Sequence, residues 1–149
     1  MTTEYRPPAG WLYSTRRIYT EGAENENREE TLKTLVVDDQ RVFVSDTDGP
    51  EEYAGFFEDD GDTGYLYVSD RREKNIVQHL QIYVNSPDLS VNESDVEVVW
   101  STDRTRCGVR IWGALRGVID VRSGTQARAF VTSRDSDPIH AAEWLAGFD

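Results

Sequence analysis

The sequence predicts an α+β domain: a mainly antiparallel sheet of six to eight short strands, one central helix and a short C-terminal helix. Three observations lead there. Short runs of alternating apolar and polar residues are punctuated by Gly, Pro, Asn and Asp clusters, the pattern of strands joined by close turns. No strand–helix–strand alternation recurs, so a doubly wound parallel sheet does not fit. The 149 residues, 38% of them hydrophobic, supply one core and not two, so residues 1–149 are read as a single domain.

Residues 11–20 alternate loosely and suit a first strand or hairpin. Residues 21–30 (EGAENENREE) carry no apolar period and read as a loop. Two β-prone runs, 32–37 and 41–45, flank Asp38-Asp39-Gln40 as the arms of a hairpin would. At 46–52 (DTDGPEE) Asp48-Gly49-Pro50 joins a pair that tolerates the left-handed region to a residue of fixed φ, which makes a turn. Residues 53–58 and 65–68 are then strands around Asp59-Asp60-Gly61-Asp62-Thr63-Gly64. Tyr65 and Tyr67 share one face of the second strand and Leu66 and Val68 the other, so both faces are expected to be covered.

Asp70 and Glu73 have the spacing of a capping box, and Ile76, Val77 and Leu80 fall on one side of a helix placed at 71–81. Ser86-Pro87-Asp88 turns the chain into a further strand, where Val96, Val98 and Trp100 alternate with Glu97, Val99 and Ser101. A turn at 101–105 leads to a strand at 106–113, and two more follow at 117–121 and 126–132, separated by Ser123-Gly124. Asp137-Pro138 is an N-cap with proline in the first turn, opening a short helix through Ala146 that Gly147 ends.

Acidic residues outnumber basic ones 28 to 16, a formal charge of −12. That excludes a general nucleic-acid or anionic-membrane binder, because phosphate contact needs clustered Lys and Arg. The imbalance sits in residues 21–62, which hold 15 acids against Arg28, Lys33 and Arg41. A localised charge of this kind attracts cationic partners and speeds encounter, whereas a solvated face would use it only for hydration. The opening residues 1–10 show no basic segment followed by an apolar run, and no stretch is long and apolar enough for a membrane helix. The single cysteine, Cys107, allows no intramolecular disulfide; a cytoplasmic protein is expected. Cys107 lies in an alternating segment, where a quiet half-buried thiol is the expectation.

The most distinctive segment is Phe56-Phe57-Glu58-Asp59-Asp60-Gly61-Asp62-Thr63-Gly64-Tyr65-Leu66-Tyr67. It resembles a family of small, uncharacterised bacterial domains marked by a segment close to V-F-E-D-D-G-E-T-G-Y-F-Y. That family continues with a helix of the type I-L-D-A-L-H-I-Y, matched here by residues 76–83, and a strand I-x-W-S followed by an Asp, matched by Val98-Val99-Trp100-Ser101 and Asp103. The resemblance spans about residues 55–121, with departures at Phe56, Asp62, Leu66, Val68 and Gln81. It implies a shared fold and brings no activity or catalytic residue.

Read as chemistry, Glu58, Asp59, Asp60 and Asp62 are either a β-turn whose side chains bond back to the backbone or an oxygen-ligand loop for Ca²⁺ or Mg²⁺. An EF-hand does not fit, since its register from Gly61 puts Phe56 and Tyr67 at ligand positions. An aspartyl nucleophile of the phosphatase type would need an Asp where Glu58 stands and a βαβ setting. His79 and His140 lack zinc-site spacing and read as structural; no G-x-S-x-G, Walker loop or dinucleotide-binding glycine pattern occurs. Arg104, Arg106, Arg110 and Trp112 stand at even offsets, so a strand beginning early enough would set them on one face. Such a face stacks in a protein interface, or pairs internally with acids such as Glu97.

These readings converge on a non-catalytic acidic protein-binding module with a cationic protein partner and no cofactor. Its sharpest form is an immunity-type inhibitor of a cationic toxin or nuclease. The alternative is a domain or enzyme that depends on a divalent cation held by the acidic turn at 58–62.

Overall fold

The computed structural model describes residues 42–148. The expectations for 11–20, 21–30, 32–37 and the turn Asp38-Asp39-Gln40 lie outside the described residues.

The described chain forms two four-stranded antiparallel sheets, each a simple meander. The first contains β1 (Val42–Ser45), β2 (Tyr53–Asp59), β3 (Thr63–Asp70) and β4 (Asn75–Val84), in that spatial order. A 3-10 turn at Glu93–Asp95 leads to the second: β5 (Val96–Trp100), β6 (Arg106–Ile111), β7 (Ala114–Asp120) and β8 (Gln126–Arg128). The only regular helix among the described residues is a single turn, α1 (Ala142–Leu145). The fold is therefore mainly β, and the α+β expectation needs two corrections.

The helix expected at 71–81 is not a helix. Residues 71–74 make a turn, and Asn75 onward is the longest strand among the described residues, β4. The capping signal was real but served another purpose. Asp70 Oδ1 accepts the backbone N–H of Arg72 at 2.8 Å and of Glu73 at 3.1 Å, closing a turn between two strands. Lys74 then leaves the turn at φ 60. Beyond it Leu80 and Ile82 face the core at a strand's period of two, and the partial helical match of Ile76, Val77 and Leu80 is coincidental. The C-terminal helix is likewise shorter than the 137–146 expected. Asp137-Pro138 runs without helical structure, and Ile139 N–H bonds to the carbonyl of Leu115 instead, tying this stretch to β7. Gly147, at φ 88, follows the C-cap residue Ala146.

Inner-face residues of both sheets share one core, including Phe57, Leu66, Ile82, Val98, Val109 and Ile119, all buried. A second, smaller cluster covers the far side of the β5–β8 sheet. Here Leu115 and Val118 pack with Ile139 and Phe148 of the chain's end.

The two edges between the sheets are closed unequally. On the β4/β8 side, Val131 N–H bonds to the Ile82 carbonyl at 3.0 Å, and the Gln126 and Arg128 side chains donate to the carbonyls of His79 and Gln81. On the β1/β5 side the links among the described residues lie at the two ends. Phe43 N–H donates to Glu93 Oε2 at one end, and at the other Trp100 Nε1–H donates to Asp46 Oδ2 at 2.7 Å. Between those links the margin is open among the described residues.

Candidate functional site

The open margin forms a cleft of about 640 Å³. Its floor and one wall are β5 in full, Val96–Trp100, continued by Ser101 and Thr102. The opposite wall is Val44 and Ser45 of β1 with Thr47 and Asp48 of the following loop, and Gly147 and Phe148 close the outer side. A cleft of this size, with a few charged groups on an otherwise mixed lining, matches the general form of binding sites.

Local chemistry explains its shape. Asp46 turns the chain out of β1 by accepting two donors on one carboxylate oxygen, the Gly55 N–H at 2.9 Å and the Trp100 indole. This places the loop 46–52 beside the end of β5. Asp48 pairs with Arg104 at 2.9 Å across the cleft mouth, and Arg110 lies 3.6 Å from Glu97. Glu51 and Glu52, farther along the same loop, are exposed and have no ion-pair partner among the described residues.

The four arginine-stripe residues do not share one regular face. Arg104 lies in the turn before β6 at φ 61, Trp112 lies past its end at φ 55, and the register shifts between Val109 and Arg110. Arg104 and Arg110 do meet at the cleft. Arg106 instead grips the chain's end: its guanidinium donates to the carbonyls of Glu143 and Ala146, each at 2.9 Å, and lies over the rings of Trp144 and Phe148. Trp112 is flanked by the guanidinium groups of Arg116 and Arg134.

The acidic turn sits elsewhere, at the opposite end of β2 from the 46–52 loop. Asp59 is fully buried and accepts three donors: the Tyr83 hydroxyl at 2.6 Å, the Asn85 side-chain amide at 2.8 Å and the Gly61 N–H at 2.8 Å. Asp60 Oδ1 accepts the N–H groups of Asp62 and Thr63, and Gly61 takes φ 104, the left-handed region open to glycine. Glu58 is also buried, whereas Asp62 is exposed. Burial and the neighbouring carboxylates of Glu58 and Asp60 raise the pKa of the Tyr67 hydroxyl above its ordinary value. Among the described residues no group of three or more His, Cys, Asp or Glu has the geometry of a metal site.

Cys107 is fully buried on the inner face, where desolvation pushes its thiol pKa well up. Sequence reasoning missed β1, β5 and the chain's end as walls of one cleft. Ser45, Val98 and Phe148 are remote in sequence, so no local pattern announces them. The alternation of Val96, Val98 and Trp100 was the one available trace.

A family model described as an uncharacterized protein conserved in bacteria (DUF2251) matches residues 36–144, in agreement with the resemblance carried by the acidic-turn segment. No curated protein and no solved structure matches the chain.

Proposed function

The chain belongs to this family of bacterial proteins, and we propose that it is a non-catalytic binding module that docks a cationic protein at the cleft between β1 and β5. The observation that carries the reading is the loop 46–52, whose exposed Glu51 and Glu52, without an ion-pair partner among the described residues, stand in the same loop as the cleft wall. From residue 42 to residue 70 the chain has no Lys or Arg to offset its carboxylates. Of the acidic block's described residues, 42–62, the 46–52 loop flanks the cleft and the 58–62 turn lies at the other end of β2. A focused negative rim of this kind steers cationic surfaces and accelerates their association.

An immunity-type protein, seated on the positively charged site of a toxin or nuclease, is the form of this role that the charge favours. The divalent-cation reading of the 58–62 turn has weaker support, because Asp59 and Asp60 already commit oxygens to internal donors. The test is gel filtration of the full chain with the product of the neighbouring gene. A complex that forms at about 50 mM salt and weakens by about 500 mM is expected, since rim charges are screened over that range. Absence of a complex at the lower salt overturns the reading.

A further inference from the structure

The ladder register of the second sheet settles which way each backbone group of β5 points. Ser101 N–H bonds to the Arg106 carbonyl and Trp112 N–H to the Asp95 carbonyl, so alternate residues 95, 97, 99 and 101 face β6. Val96, Val98 and Trp100 therefore direct their N–H and C=O groups away from β6, into the cleft. The Val96 N–H is taken by the Glu93 carbonyl of the preceding 3-10 turn. The Val96 carbonyl, both polar groups of Val98 and the Trp100 N–H have no backbone partner among the described residues. The side chains of Val96 and Val98 are buried in the core, so these groups belong to a fixed strand and not to a frayed end.

A row of donor and acceptor groups at strand spacing, along a cleft that runs the full length of the strand, is complementary to one kind of ligand: another extended backbone. The walls suit its side chains as well. Alternate residues of an added strand would face Val44, Ser45 and Thr47 on one side, and Phe148 with Arg110 and Glu97 on the other.

Charge decides between a second copy of this chain and a foreign segment. Two copies paired edge to edge would each bring a net charge of −12 and an acidic 46–52 loop to the contact. A segment bearing Lys or Arg meets the exposed Glu51 and Glu52 of the loop beside the cleft with opposite sign, whereas Glu97 is already paired with Arg110. Resting on the docking role above, we propose that the partner contributes an extended, basic segment that adds to β5 as a further strand, its backbone pairing with Val96, Val98 and Trp100.

The experiment pans the full chain against a phage-displayed library of random nine-residue peptides and follows the enriched sequences by amide hydrogen exchange. Enriched peptides rich in Lys or Arg are expected to slow exchange at the Val98 and Trp100 amides about tenfold or more, leaving the exposed turn at 71–74 unchanged. N-methylation at alternate peptide positions is expected to weaken binding at least about tenfold, and at the intervening positions to leave it unaltered. Peptides that bind without protecting Val98 and Trp100, a library from which nothing enriches, or protection of the same amides by self-association alone each overturn the proposal. Salt-sensitive association with the neighbouring gene's product is read independently. If it persists while Val98→Pro and the native chain bind that protein equally, strand addition fails and the docking role stands.

Discussion

Asp103 lies in the turn between β5 and β6, and its Oδ1 gathers the hydroxyls of Thr105 and Ser101, both at 2.8 Å, together with the Thr105 N–H. These bonds, the Thr105 hydroxyl foremost, favour the ionised carboxylate and bring its pKa down to about 2. A carboxylate whose folded value is depressed adds stability above its unfolded value, about 3.9, and loses that addition as pH falls toward the folded one. In thermal unfolding from neutral to acid pH, Asp103→Asn is therefore expected to melt below the native chain at pH 7. The gap should narrow from about pH 4 downward and close near pH 2. A constant gap would mean that the turn is held by its backbone alone. Asp59 follows a different logic at the same scale. Its three donors come from inside the fold, so what reads in sequence as an acidic loop is in part an interior hydrogen-bond acceptor.

At the scale of elements, the β3–β4 connection explains the largest departure from the sequence reading. Asp70 in a capping position and Asp70 closing a tight turn produce the same residue spacing, because both satisfy N–H groups two and three residues on. Only the partner strand distinguishes them. Leu66 pairs with Leu80 and Tyr67 with His79, contacts that local propensity does not contain. The strands from β5 onward were legible because their alternation is clean and their turns short, except that the run expected at 126–132 stays a strand only over Gln126–Arg128. The arginine stripe was not, since it assumed an unbroken strand from residue 104 to 112, whereas Arg104 and Trp112 occupy turns at positive φ. Lys74 carries the same strain at an exposed position, where a side chain adds no packing. Lys74→Gly is expected to raise stability by about 0.5–1 kcal/mol, measured as a higher urea midpoint with unchanged slope. No change would place the cost of the turn elsewhere.

For the whole molecule, the chain's end is a structural part of the second sheet and not an appendage. Phe148 is buried against Leu115 and Val118, and Arg106 holds residues 143–148 through two carbonyls and two aromatic rings. Arg106→Ala is expected to lower stability by about 1–3 kcal/mol and to open residues 142–148 to limited proteolysis before the rest of the chain. The same segment supplies Gly147 and Phe148 to the outer wall of the cleft, so its loosening should also reduce peptide protection of Val98.

Both sheets are meanders, each strand bonded to the one before it in the chain. Every pairing step within a sheet thus closes a short loop and loses little chain entropy. Among the described residues, distant parts of the sequence meet when one finished half settles on the other and when residues 139–148 fold back over the second sheet. Assembly then reduces to docking a few locally formed pieces, a route in which most strand pairing is local and therefore fast.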